Sequence, residues 1–129
     1  MSKRAVSVEG APRPFQGAPY SQAVAANGFL YVSGQLGLDP GSGSLVEGGI
    51  EAQTRRALEN LRAILEGAGT GLDRVVKTTV YMTDLGQFGA MNEVYGTFFG
   101  DAPPARAAIG VAALPAGGIV EVEAVALVG

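Results

Sequence analysis

The sequence predicts an α+β domain, and three observations carry that expectation. Residues 50–68 repeat apolar side chains at helical spacing. Residues 75–83 are β-branched and aromatic, as a strand requires. The chain then closes on two apolar stretches, roughly 106–114 and 119–128, split by Pro115-Ala116-Gly117-Gly118. The predicted order is strand, strand, helix, strand, helix, strand, strand, in a single domain spanning 1–129.

Each element has a local cause. Pro12, Pro14, Gly17 and Pro19 mark the N-terminal region, with residues 1–16 read as an extended arm. Ala23–Ala26 and Phe29–Ser33 flank Asn27-Gly28, a pair suited to a tight type I′ hairpin. Asp39-Pro40-Gly41-Ser42-Gly43-Ser44 reads as a loop. The first helix carries Ile50, Thr54, Ala57, Leu58, Leu61, Ile64, Leu65 and Ala68 on one face, with Glu51–Arg55 an expected i,i+4 pair. Gly67, Gly69 and Gly71 stop it. Asp84 is the expected N-cap of a second helix, with Gln87 at the capping-box position. Leu85, Phe88, Asn92, Tyr95 and Phe99 are expected to share one face of that helix, and Pro103-Pro104 ends the connection.

Two helices cover only one face of such a sheet, yet the last strand is apolar on both sides: Val120, Val122 and Ala124 alternate with Ile119, Val125 and Leu127. Self-association is the expected cover for the second face.

Composition excludes much chemistry. The chain of 129 residues has no cysteine and no histidine. Disulfides, thiolate nucleophiles, Ser–His–Asp triads and imidazole metal ligands are therefore impossible. Acid–base work falls to carboxylates, tyrosine, lysine or water. The net charge is −3 and the nine Lys and Arg are scattered, which argues against nucleic acid as a partner. The missing cysteine fits a reducing compartment, Met1–Arg4 is not followed by an apolar stretch of signal-peptide type, and the uncharged run 107–120 is too short for a membrane helix. A cytoplasmic protein with no membrane partner is expected. The run Gly67-Ala68-Gly69-Thr70-Gly71 follows a helix instead of opening one, so it is no dinucleotide loop.

Few residues remain that can do chemistry. Arg106 opens a strand otherwise built of Ala, Ile, Gly, Val and Leu. It is either a rim charge or an anion ligand whose planar fork fits a carboxylate. Glu121 and Glu123 project from the same face of the last strand. They either pair with Arg106 or Lys77, or one of them orients or deprotonates water. Two carboxylates without histidine make a poor metal site. Tyr20 sits in a proline-set turn; Ser33 ends a strand beside Gly34, which permits close approach; Asn92 places an amide on an apolar helix face. For each of these three, ordinary packing is an equally good explanation.

Taken in order, six segments are those of a known family: Pro19-Tyr20-Ser21-Gln22, Val32-Ser33-Gly34-Gln35, Val76–Tyr81, Met91–Tyr95, Pro104-Ala105-Arg106 and Val120–Ala124. The chain resembles the Rid family (reactive intermediate deaminases, or YjgF-like proteins), in particular its RidA-type 2-iminobutanoate/2-iminopropanoate deaminases. The resemblance spans about residues 17–128. It implies a chorismate-mutase-like fold, one mixed sheet with two helices on one face, and a homotrimer whose sheets form a central barrel. Active sites would lie in clefts between subunits. The implied reaction is hydrolysis of 2-imino acids to 2-keto acids and ammonia, without cofactor or metal. Arg106 matches the arginine that binds the substrate carboxylate, and Glu121 the glutamate that positions water. Tyr20, Ser33 and Asn92 match cleft-lining positions. Ala108 stands where many members carry cysteine, which alters the pocket wall.

Two other functions compete. A regulatory trimer could bind small carboxylates in the same clefts without catalysis; the presence of both Arg106 and Glu121 favours the enzyme. An endoribonuclease or translation inhibitor is opposed by the acidic balance and the missing histidine.

Overall fold

The computed structural model describes residues 2–129. Six strands form one mixed sheet: β1 (Arg4–Val6), β2 (Ala23–Ala26), β3 (Phe29–Leu36), β4 (Val75–Met82), β5 (Ala105–Gly110) and β6 (Val120–Leu127). Their spatial order is β1-β2-β3-β6-β4-β5, antiparallel throughout except for the parallel β4–β5 pair. Helices α1 (Gly49–Gly67) and α2 (Phe88–Phe98) pack against each other on one face. The α+β architecture with two helices on a mixed sheet is the one predicted.

Local chemistry explains the connections. Asn27 and Gly28 have φ of 54° and 83°, so both central turn residues are left-handed, and Ala26 pairs with Phe29 across the two-residue loop. At the end of α1, Gly69 has φ 86°, its N–H donates to the Glu66 carbonyl, and the Thr70 N–H donates to the Leu65 carbonyl. That pair of bonds is a Schellman motif, which satisfies carbonyls the helix leaves open.

The core lies between sheet and helices. Leu58, Leu61, Ile64 and Leu65 of α1 meet Leu30 and Val32 of β3, Val80 and Met82 of β4, and Val120, Val122 and Ala126 of β6, all buried. Burial of each large side chain contributes about 1.5–3 kcal/mol.

Several expectations need correction. The N-terminal arm contains a strand: residues 4–6 pair with 23–25 and bury Val6. The Glu51–Arg55 pair does not form; Arg56 and Glu59 make the i,i+3 contact at 3.4 Å instead. Asp84 caps a 3-10 turn, Leu85–Gln87, by accepting from the Gly86 N–H, and Gln87 makes no side-chain cap bond to α2. The buried side of α2 is Met91, Val94, Tyr95 and then Phe99, whereas Leu85 and Phe88 are exposed. The fifth strand stops at Gly110 and not 114, because β4, its one partner among the described residues, ends at Met82.

The second face of the sheet is bare. Tyr31, Ile109 and Leu127 are exposed there, beside Phe29 and Val125. The pairs Phe29–Leu127 and Tyr31–Val125 make a continuous apolar strip across β3 and β6. Glu121, Glu123 and Tyr81 share this face.

Candidate active site

The candidate residues fall into two groups. The first surrounds a cavity of about 390 Å³, lined by Tyr20, Ser33, Gly34 and Glu121 among others. A bulge between Val32 and Gln35 sets Ser33 and Gly34 opposite the single residue Glu123 of β6. The Ser33 N–H donates to the Gln22 carbonyl at 2.9 Å, and its hydroxyl donates to the Ser21 carbonyl at 2.6 Å. The Ser33 proton is thus committed to structure, as suits a wall residue and not a nucleophile. Gly34 is where close approach occurs: a Cβ there would lie 2.6 Å from Cδ of Glu121. The glycine therefore makes room for the carboxylate to lie across the bulge.

Glu121 is half-buried in this position. Burial, and secondarily the charge of Glu123, raises its pKa above the ordinary carboxylate value. Glu123 does not pair with Arg106 or Lys77; it accepts a hydrogen bond from the Tyr81 hydroxyl. That bond is also the main reason the Tyr81 pKa is raised.

The N-terminal segment forms one wall. The Tyr20 hydroxyl accepts from the Phe15 N–H at 2.7 Å. Gln22 is buried and ties the segment down, accepting from the Val8 N–H and donating to the carbonyls of Val8, Ala11 and Pro12. Gln22 closes the Pro19-Tyr20-Ser21-Gln22 segment, but no role for it is expected from the sequence; its place directly after Tyr20-Ser21 is the signal that points to it.

The second group is built on Arg106. Arg106 is in register with Thr78, so it projects from the helix-covered face, over α2. Its Nη1 donates to Oδ1 of Asn92 at 2.7 Å. The guanidinium carbon stands 4.8 Å from the Tyr95 ring centre and 5.4 Å from that of Phe88, within cation–π range. Tyr95 in turn shares a 2.7 Å hydrogen bond with Thr78. Burial raises the Tyr95 pKa, opposed by the Thr78 bond and the Arg106 charge. Among the described residues no carboxylate pairs with Arg106. The half-buried guanidinium is oriented and uncompensated. Ala108 lies on the same face two residues along, in register with Val80.

These two groups do not meet within one chain. Glu121 pairs with Tyr81 and Tyr81 with Ile109, so Glu121 lies two strands from β5 and three residues along from Arg106. At ~4.8 Å per strand and ~3.3 Å per residue, the backbone separation is about 14 Å. The side chains also point to opposite faces. Among the described residues no three acidic side chains converge as a metal site.

The Endoribonuclease L-PSP family model matches residues 11–128. The chain belongs to that family, the Rid family of YjgF-like proteins. It is 49% identical over 127 residues to the 2-iminobutanoate/2-iminopropanoate deaminase of Mus musculus, covering 98% of this chain and 93% of that one. The crystal structure of RidA from an Antarctic Psychrobacter superposes with a TM-score of 0.92 at 43% identity, covering 97% of this chain and 99% of the other. E. coli TdcF with bound serine superposes with a TM-score of 0.91 at 33% identity, over 98% and 99% of the two chains. The Rid fold is thus the fold of this chain, and the family relation predicted from its segments holds.

Proposed function

We propose that this Rid protein is a cofactor-independent cytoplasmic hydrolase. It converts 2-imino acids to 2-keto acids and ammonia, in clefts where Arg106 of one subunit faces Glu121 of another within a homotrimer. The observation that carries this reading is the Arg106 guanidinium, held by Asn92 and two aromatic rings and lacking a carboxylate of its own. A planar fork prepared in this way fits a substrate carboxylate. The nearly full-length similarity to a named 2-iminobutanoate/2-iminopropanoate deaminase supports the reaction class.

An iminium carbon is already electrophilic, so little equipment is needed. With the substrate carboxylate on Arg106, water approaches C2 while Glu121 takes its proton. The new C–O bond forms as the C=N π pair moves to nitrogen. Glu121 passes that proton to the nitrogen; the carbinolamine then collapses, its hydroxyl proton returning to Glu121 as the C=O bond forms and the C–N bond breaks, and that proton ends on the departing ammonia. Iminium acid plus water thus gives keto acid plus ammonium. A carboxylate whose pKa is raised by burial is a stronger base than a solvated one, which suits the role given to Glu121. Tyr20 and Ser33 shape the wall, and Asn92 positions Arg106.

The bare apolar face supports the trimer, because an exposed strip of this kind marks an interface. It also accounts for the two groups: a second copy is what can bring Arg106 to Glu121, which lie on opposite faces of one chain. Ribonuclease action, which the family description carries, finds no histidine and a net charge of −3 here. The test is hydrolysis of 2-iminopropanoate generated in situ, followed by competition with semicarbazide trapping. The wild-type protein accelerates the loss, and Arg106→Ala abolishes the acceleration without unfolding the protein. No acceleration by wild type would favour a carboxylate-binding regulator instead.

A further inference from the structure

Two carboxylates stand on the bare face of β6, Glu121 and Glu123, about 7 Å apart along the strand. They lean to opposite sides of it. Glu121 lies across the β3 bulge at Gly34, whereas Glu123 is drawn toward β4 by the Tyr81 hydroxyl. Glu123 is in register with Thr79, yet the bond it accepts comes diagonally from Tyr81, the residue in register with Glu121. One tyrosine therefore stands opposite the first carboxylate while it holds the second. The raised pKa of Tyr81, caused first by that bond, keeps its hydroxyl a donor while carboxylates titrate.

The other titratable side chains on this face are Tyr31 of β3 and Lys77 of β4; β5 presents Ala105, Ala107 and Ile109. Arg13 and Tyr20 border the cavity from the N-terminal segment. Among the described residues no cation pairs with either carboxylate. Lys77 stands four residues from Tyr81 along β4, about 13 Å away. Burial first, and then the charge of Glu123, favours the protonated form of Glu121.

We propose that Tyr81 and Glu123 are positioning residues for imine hydrolysis: Tyr81 fastens the Glu123 carboxylate on the β4 side of β6, from where its charge strengthens Glu121 as a base and leaves the attacking water to Glu121. The inference rests on the deaminase reading above and adds two residues that act through Glu121. Arg106 of the adjoining copy, which that reading sets beside Glu121, is common to every variant compared below.

The experiment labels the full-length protein isotopically at its glutamate carboxyl carbons. The Glu121 signal, assigned as the one lost in Glu121→Gln, is titrated by NMR. The acid limb of kcat/KM toward 2-iminopropanoate is measured on the same variants, because activity falls there as the base is protonated. Glu123→Gln removes the charge and is expected to move both to lower pH by at least about half a pH unit, the effect of one charge at ~7 Å in water. Glu123→Ala removes the same charge should Glu123→Gln fail to fold. Tyr81→Phe keeps the charge but frees it, so both are expected at the wild-type pH or above. A Glu121 titration that does not move in a folded variant lacking the Glu123 charge overturns the inference. So does a Tyr81→Phe shift to lower pH that equals the Glu123→Gln shift, or an acid limb that does not follow the titration. Absence of hydrolysis by wild type overturns the deaminase reading and the catalytic role of the pair together, whatever the titration shows.

Discussion

Replacing Gly34 by alanine tests the placement of Glu121 without altering either ionisable group. The added Cβ would lie 2.6 Å from Cδ, 2.9 Å from Oε2 and 3.0 Å from Cγ of Glu121. Carbon atoms in contact prefer about 3.5–4.0 Å, so the carboxylate must move by roughly 1 Å. A 1 Å misplacement at a reacting centre costs about 10²-fold, or ~2.7 kcal/mol of barrier. Stability should change little, by about 1 kcal/mol or less, because Gly34 does not occupy the left-handed region and a side-chain tip can yield. The expected outcome is kcat/KM for imine hydrolysis down about 10²-fold with a nearly unchanged melting temperature. Full activity in a folded Gly34→Ala protein would refute the role given to the carboxylate's position.

Two further outcomes follow from the same wall of the cavity. Burial raises the Glu121 pKa, so the folded chain holds that proton more tightly than the unfolded one. This site is therefore most favourable to folding below the ordinary carboxylate pKa, and loses stability as pH rises through the raised folded value. Glu121→Gln is accordingly expected to raise the melting temperature at pH 7, with the gain shrinking toward pH 4; a constant difference across that range would contradict the assignment. Gln22→Ala leaves the Val8, Ala11 and Pro12 carbonyls and the Val8 N–H without their partner, at a cost of about 2–4 kcal/mol in urea unfolding. A loss under 1 kcal/mol would show that Gln22 does not anchor the N-terminal segment.

What the sequence made legible was local. Asn27-Gly28 and the α1 stripe each carry their own cause, and both elements lie where expected. The pairing of residues 4–6 with β2 is set by a partner nearly twenty residues away, and nothing within Arg4–Val6 announces it. The buried face of α2 departs from the expected one because Leu85 and Phe88 are apolar but lie before or at the first turn, beyond the packed layer. Asn92 was legible as an amide seeking a partner, and Arg106 is that partner. Gly34 was legible as a point of close approach, although the approaching group, Glu121, depends on the β3–β6 register. The division of the site was not legible. Whether Arg106 and Glu121 share a face depends on the order β6-β4-β5 and its register, which no short segment encodes.

Mixing two inactive variants tests most directly whether the site is assembled between copies. Arg106→Ala keeps Glu121, and Glu121→Gln keeps Arg106. Each variant alone should be inactive toward 2-iminopropanoate. Co-refolded in equal amounts as rings with heterologous interfaces, about a quarter of the clefts should combine an intact Arg106 with an intact Glu121. Recovery of about a quarter of wild-type activity is the predicted result. Activity that stays at the level of the separate variants, in trimers shown to have exchanged subunits, would contradict the shared site.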